Sequence, residues 1–211
     1  MDPGAALSVA GNHERSSRRR WSAAILLAIL LVPFVRDVME ASMLAQMLVQ
    51  IPLLAVAGWL ARSCLTIAAR ARIAAWNASG ITGFVVASAT AACWMLPRAL
   101  DGAVADPLID AAKYLSVPLL LGLPLSLSWP QAGFVARGAF LAEAIASLFR
   151  LGWLYRVSPV RLCSAYPLAD QQQLGLCMLA IGGMLVAAIA WRLLFGDLRH
   201  AGSRTYRGMI T

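Results

Sequence analysis

Long apolar segments alternate with short polar connections along most of this chain. A bilayer core about 30 Å thick requires roughly 20 mostly apolar residues for each helix that crosses it. Six segments approach that length and predict membrane-spanning helices at 21–36, 41–62, 78–98, 112–129, 132–155 and 172–195. The pattern therefore predicts an all-α fold, a polytopic helical bundle embedded in a membrane.

The residues that lead into the second of these segments, together with its first half, carry an unusual polar face. At about 100° per residue, its methionine and amide side chains fall within an arc of roughly 100°, while the other faces carry Ala, Leu and Val. The face consists of Arg36, Met39, Met43, Gln46, Met47 and Gln50. Such a soft, polar face on an apolar helix needs a partner, and either protein packing or a ligand would serve.

The fourth segment contains two prolines and a glycine, Pro118, Gly122 and Pro124, within its apolar run. Irregular backbone at membrane depth is tolerated only where protein or water covers it. We therefore expect this helix to be bent and to lie centrally in the bundle.

Composition supports a membrane protein. The 211-residue chain is 60% hydrophobic and 13% charged, against about 45–50% apolar and about 25% charged residues in soluble domains. The net charge of +8 comes almost wholly from arginines, which concentrate in connections on one side of the predicted bundle. The positive-inside bias then predicts that both termini are cytoplasmic. The lipid bilayer, and not nucleic acid, is the expected partner of the basic tails.

The two ends of the chain differ from its apolar middle. We expect residues 1–20 to form a disordered basic cytoplasmic segment, 21–195 the six-helix domain and 196–211 a basic cytoplasmic tail. The first apolar segment follows the letters RSSRRR, as in a signal peptide. No small-x-small cleavage site follows it, so we expect this segment to be retained.

Few residues suited to catalysis are present. His13 and His200 are the only histidines, and both lie on the predicted tails, which argues against a haem or copper centre held by paired histidines. No phosphate-binding glycine loop and no Ser/His/Asp arrangement can be assembled. The four cysteines show no C-x-x-C spacing. We therefore expect a protein that is not an enzyme.

Glu143, in the fifth predicted helix, is a functional candidate because an ionisable residue at membrane depth is energetically expensive. Ser147 and Arg150 follow at a similar angular position. The carboxylate therefore either serves a small transporter or channel, or forms a structural pair with Arg150 or Ser147.

A polar run opens the sixth predicted helix and supplies three further candidates, Asp170, Gln171 and Gln172. Asp170 is also placed to cap this helix and to complement the positive end of its dipole. A functional and a structural role are both open for it.

Sulfur side chains form the remaining candidate set. Soft thioether and thiolate ligands prefer Cu(I), and methionines at i, i+4 and i+8 place sulfur along one helix face. The predicted Cu(I) ligands are Met39, Met43, Met47, Cys93, Met95 and Cys163. Methionines at this spacing are equally typical of adaptable packing, so copper binding and packing are alternatives.

Three short motifs occur in a defined order along the chain. They are MLAQMLVQIPLL from Met43 to Leu54, WMLP from Trp94 to Pro97, and DQQQLG from Asp170 to Gly175. In this order they resemble the CtaG family of cytochrome c oxidase assembly factors, which are multi-helix membrane proteins. The third motif is the closest match.

The resemblance implies an accessory protein of a bacterial-type inner membrane that assists assembly or copper maturation of a cytochrome c oxidase-type complex. The family pattern has histidines where this chain has Met43 and Met47. Either methionine and cysteine replace imidazole as Cu(I) ligands, or the scaffold persists without a metal. A small transporter and a structural subunit of a larger membrane complex are the alternative functions.

Overall fold

The computed structural model describes residues 3–195, with side chains from Ser17 onward, and this part of the chain is helical throughout apart from short connections. Its helices are α1 Pro3–Leu31, α2 Pro33–Glu40, α3 Met43–Cys64, α4 Ile67–Trp76, α5 Ile81–Trp94, α6 Pro97–Ala105, α7 Pro107–Gln131, α8 Phe134–Val157 and α9 Leu168–Phe195. The all-α prediction is confirmed. The tail predicted at 196–211, with His200, lies outside the described residues.

Three helices, α3, α7 and α9, are individually long and apolar enough to cross a membrane. The pairs α1–α2 and α5–α6 reach that length only as bent segments, with bends of 69° and 68°. Pro33 and Pro97 begin the second helix of each pair, and a proline disfavours helical conformation in the residue before it. The described residues thus contain three to five candidate spans, where the sequence predicted six.

Helix α1 begins at Pro3, and the division of the chain at residue 20 stays a prediction. The fifth predicted span, 132–155, does form a helix of 24 residues, α8. However, α8 is not among the helices that length and composition identify as candidate spans. Glu143 and Arg150, near its middle, reduce its apolar character.

Two helices contain a widened π-helical turn that ends two residues before a proline. In α3 the turn spans Gln46–Gln50 and precedes Pro52, and in α7 it spans Val117–Gly122 and precedes Pro124. In both helices, the residue before the proline donates its N–H to the carbonyl five residues earlier. A proline ring clashes with the carbonyl four residues before it, and here that carbonyl lies within the wider turn.

The backbones of α3 and α7 are in direct contact at two glycines. A Cβ atom on Gly58 would lie 2.1 Å from the Pro118 carbonyl oxygen, and one on Gly122 would lie 2.1 Å from the Ala55 carbonyl oxygen. Small residues allow this close approach between membrane helices. Helix α1 packs against α3, and α5 packs against α7. The fourth predicted helix, α7, is therefore central and irregular, as its prolines indicated.

Helices α8 and α9 form an antiparallel hairpin at the edge of the bundle. Gly152 of α8 lies against Gly175 of α9, and Phe149 lies against Gly182. Helix α9 also contacts the start of α3, whereas α8 contacts α5 only slightly. A groove therefore separates α5 from α8.

Replacing Gly58 or Gly122 with alanine is expected to destabilise the protein, because the added methyl group overlaps a backbone carbonyl of the neighbouring helix. Overpacking typically costs about 1–3 kcal/mol. Gly138→Ala is the matched control, since a Cβ there meets nothing within 4 Å. Thermal unfolding of detergent-purified protein, followed by tryptophan fluorescence, measures the effect. Equal midpoints for all three variants would contradict the close crossing of α3 and α7.

Candidate functional site

Four charged side chains meet where α2 approaches the first turns of α7. Arg36 Nη2 lies 2.9 Å from Asp110 Oδ2, and Arg36 Nε lies 3.4 Å from Glu40 Oε2. Lys113 Nζ lies 3.0 Å from Glu40 Oε1 and 2.8 Å from Asp110 Oδ1. The contact with Asp110 Oδ1 is an ion pair without a directed hydrogen bond. The four residues form a closed ring of alternating charge, termed the ion quartet below.

Burial makes the members of the ion quartet depend on one another. The Lys113 side chain is 0% exposed and that of Asp110 is 3% exposed, whereas that of Arg36 is 39% exposed. An unpaired ion buried in this way costs several kcal/mol, so each charge requires its partners. Helical spacing places two of the four pairs side by side within single helices. Asp110 and Lys113 lie at i and i+3, and Arg36 and Glu40 lie at i and i+4.

Two fully buried glutamines of the π turn in α3 connect the ion quartet to its surroundings. Gln50 Nε2 donates to Tyr114 Oη at 2.8 Å and to Glu40 Oε1 at 3.4 Å. Tyr166 Oη lies 2.8 Å from both Gln46 Oε1 and the Glu40 carbonyl oxygen, either of which accepts its proton. Among the described residues, Gln46 Nε2 and Gln50 Oε1 have no hydrogen-bond partner. The predicted amide face of α3 is thus buried against charged and phenolic groups.

Sulfur side chains pack together beside this network. Met43, Met47, Cys163 and Met178 are buried in one apolar cluster, and Met95 packs against it. These five residues are termed the sulfur cluster. It therefore unites four of the six predicted sulfur ligands, although they come from three separate segments of the chain.

The other two predicted ligands lie elsewhere. Met39 is half-buried at the end of α2, outside the cluster, and Cys93 is exposed on α5. Met178 was not among the predicted ligands, although it lies seven residues after Gln171 and so shares its face of α9. Within residues 17–195, no group of three His, Cys, Asp or Glu side chains is arranged to hold a metal ion. Thioethers are therefore the principal soft donors of the site.

The connection between α8 and α9, residues 158–167, closes one side of the sulfur cluster. Asp101 of α6 accepts hydrogen bonds from the Ser164 N–H at 2.7 Å and the Ser164 hydroxyl at 3.0 Å. Gln171 Oε1 accepts the Leu162 N–H at 2.8 Å. The candidate Gln171 therefore positions this loop, which carries Cys163 into the cluster.

Burial suppresses ionisation of the loop side chains. It raises the pKa of the Cys163 thiol to about 12, and the negative charge of Asp101 contributes in the same direction. Burial also raises the pKa of the Tyr166 phenol above its usual range, with a further contribution from Glu40. At neutral pH Cys163 is a protonated thiol, whereas the thioethers carry no proton that a metal would have to displace.

Glu143 lies on α8, the fifth predicted helix. Its side chain is not inside the bundle but 56% exposed on α8, where it pairs with the 64% exposed Arg150. It also accepts a hydrogen bond from the Ser147 hydroxyl at 3.1 Å. These side chains lie on the face of α8 that borders the open space between α8 and α5. The pairing alternative agrees with this geometry, and a role of Glu143 in transport stays a prediction.

The polar run that opens α9 lies at the same end of the bundle as the sulfur cluster. Asp170 is half-buried in the first turn, where its charge complements the helix dipole. Gln171 is buried and holds the loop, and Gln172 is half-buried beside it. Of these three candidates, only Gln171 makes hydrogen bonds that shape the site.

The ion quartet was not predicted from the sequence. The feature of the sequence that indicates it is Lys113. This residue is the single lysine of the chain, and it lies three residues after Asp110 at the start of an apolar helix. A pair of charged residues at i and i+3 at the start of an apolar segment is expected to contact further charged residues, because charges in apolar surroundings are usually paired. Arg36 and Glu40 were visible, but they precede Lys113 by more than 70 residues.

Fold and site together define an all-helical protein with several helices of membrane-spanning length and a buried ion quartet beside a sulfur cluster. Compared with known proteins, the chain matches no family model, no curated protein and no solved structure. The resemblance to the CtaG family therefore rests on the three short motifs alone and stays a prediction.

Lys113→Met is expected to destabilise the protein by about 3–5 kcal/mol, because it leaves two carboxylates facing one cation in a buried site. Arg98→Met, at an exposed position of α6 outside the ion quartet, is the control. The double change Lys113→Met with Asp110→Asn restores neutrality and should recover part of the loss. Chemical unfolding in detergent measures all three variants. A stability equal to that of the unchanged protein in Lys113→Met would refute the structural role of the ion quartet.

Cys163 is expected to react slowly with a membrane-impermeant maleimide at pH 7, because the thiolate is the reacting species. With a pKa near 12, its rate should rise about tenfold per pH unit between pH 7 and 9. Asp101→Ala should speed the reaction by releasing the loop, whereas Asp37→Ala, at an exposed position of α2, should not. Site-resolved mass spectrometry distinguishes Cys163 from the exposed Cys64. Equal rates for these two cysteines would contradict the closed loop.

Proposed function

We propose that this protein is a non-enzymatic accessory protein of a bacterial-type inner membrane, which holds Cu(I) during maturation of a cytochrome c oxidase-type complex. The observation that carries the proposal is the convergence of Met43, Met47, Met95 and Cys163 in one buried cluster. The sequence also predicts these four residues as copper ligands, because thioether and thiol sulfur favour Cu(I). The proposed partner, a cytochrome c oxidase-type complex, is inferred from the short motifs that resemble the CtaG family.

The donor set suits copper in its reduced form. Thioether and thiol sulfur are soft ligands that favour Cu(I), and neutral thioethers bind at any physiological pH. Met43 and Met47 lie one turn apart on α3, Met178 comes from α9, and Met95 follows the end of α5. These thioethers would hold the ion, and Cys163 would join them on losing its proton. Copper is here the cargo of the protein, and the soft donors would protect it from oxidation.

The proposed topology has six membrane-spanning segments and two cytoplasmic termini. Helices α3, α7 and α9 supply three segments, and the bent pairs α1–α2 and α5–α6 supply two. Helix α8 is the sixth, because it lies antiparallel against α9 over most of its length. This order brings α2, α6 and the loop 158–167 to the extracytoplasmic side. The sulfur cluster and the ion quartet then lie in the outer half of the bundle, where the positive-inside bias also predicts them.

Copper binding is tested by anaerobic titration of the detergent-purified protein with Cu(I) against a chromogenic competitor. We expect stoichiometric binding that is lost in the Met43→Leu/Met47→Leu double variant, since leucine fills similar volume without a donor atom. Met184→Leu, at an exposed position of α9 outside the sulfur cluster, is the matched control and should bind normally. A correctly folded unchanged protein that binds no Cu(I) would refute copper handling.

The oxidase role is tested separately in the host. Cells that carry only the Met43→Leu/Met47→Leu variant should assemble an oxidase that is deficient in copper, and added copper should restore part of its activity. Cells with the Met184→Leu variant should be unaffected. Normal copper content in the oxidase of a strain without this protein would exclude that role, whatever the titration shows.

A further inference from the structure

A continuous groove lies between α5 and α8. It consists of two adjoining cavities of about 530 and 850 Å³, which share Ser88, Ala92, Phe140 and Glu143 in their walls. It follows the whole of α5, from Ile81 to Trp94, which corresponds to roughly 20 Å at a rise of 1.5 Å per residue. The groove is therefore long enough to accompany another helix through most of a bilayer core about 30 Å thick.

The α8 wall carries the exposed ion pair of Glu143 and Arg150, with Ser147 between them. The register of the hairpin follows from the contacts of Gly152 with Gly175 and of Phe149 with Gly182. Continued along both helices, it places Glu143 level with residues 184–188 of α9, within its apolar stretch. Charged groups at membrane depth almost always face protein or water. Within the described bundle this ion pair lines the open groove, and apart from Ser147 no other polar side chain contacts it.

We propose that the groove binds a transmembrane helix of a different membrane protein, and that this helix presents an amide or hydroxyl side chain to the Glu143–Arg150 pair. A carboxamide offers an N–H to the carboxylate and an oxygen to the guanidinium, so it complements both ends of the pair. Ala87, Ser88, Ala91 and Ala92 form the opposite wall, and such small residues let a helix backbone approach closely.

Two other occupants fit the groove less well. A lipid acyl chain has no polar atom to offer, and its headgroup stays at the membrane surface. A second copy with the same orientation, related by an axis along the membrane normal, would bring Glu143 opposite its own equivalent at equal depth. The α5 wall contributes only small and apolar side chains besides Ser88 and so offers no cation to a second Glu143.

This inference rests on the membrane insertion proposed above, but it does not depend on copper binding. The experiment introduces a benzophenone amino acid at Ala92, in the groove, and separately at Met184, which is 63% exposed on α9. Native membranes of the source cell are irradiated, and the adducts are identified by mass spectrometry. At Ala92 we expect an adduct with a membrane-spanning peptide of another protein that contains an amide or hydroxyl side chain. At Met184 we expect lipid adducts.

The matched variant combines Glu143→Leu with Arg150→Leu, which removes the polar pair from an exposed surface without leaving a single charge. It should abolish the peptide adduct at Ala92 and leave the lipid adduct at Met184 unchanged, with an unaltered unfolding midpoint. A lipid adduct only, an adduct with a second copy, or no adduct at Ala92 would overturn the inference, as would a peptide adduct that survives the double change. Absence of lipid adducts at Met184 would instead refute membrane insertion, and hence the proposed function.

Discussion

The neutral ring of Arg36, Glu40, Lys113 and Asp110 is the interaction on which the arrangement of the site depends. Apolar packing between membrane helices has little directionality, because lipid tails are as apolar as the side chains they would replace. The ion pairs of buried Lys113 with two carboxylates do fix the relative position of the helices, because each buried charge is stable only beside groups of opposite charge. Through Glu40 the same ring reaches Gln50 and Tyr166, so it aligns the π turn of α3 and the loop over the sulfur cluster.

Proline and glycine give the central helices the shape that this ring requires. Each π turn accommodates an extra residue, so the helix face that follows it is rotated relative to the face before it. In α3 the part before Pro52 directs amides and sulfur toward the site, while the part after it brings Gly58 against the backbone of α7. Helix α3 therefore contacts the site with one face and α7 with another. A regular helix of the same sequence would orient these two faces differently.

The sequence predicted the features that depend on local length and composition. The segments at 41–62, 112–129 and 172–195 correspond to α3, α7 and α9, because uninterrupted apolar length is a strong signal. Four sulfur positions also converge, but helical spacing related only Met43 and Met47 to each other, and the approach of Met95 and Cys163 depends on packing between distant segments. The ion quartet was missed because 73 residues separate Glu40 from Lys113. The exposed position of Glu143 was missed because it depends on how α8 packs against α9, which periodicity within α8 does not encode.

The distance along the chain between members of the ion quartet also sets an order of synthesis. Helix α2 leaves the ribosome with Arg36 and Glu40, and only the i, i+4 contact between them is then available. Lys113 and Asp110 follow long after, with α5 and α6 made in between. The amino-terminal helices therefore cannot complete the ion quartet until the first turns of α7 have been synthesised. The hairpin of α8 and α9, made last, completes the sulfur cluster by contributing Cys163 and Met178.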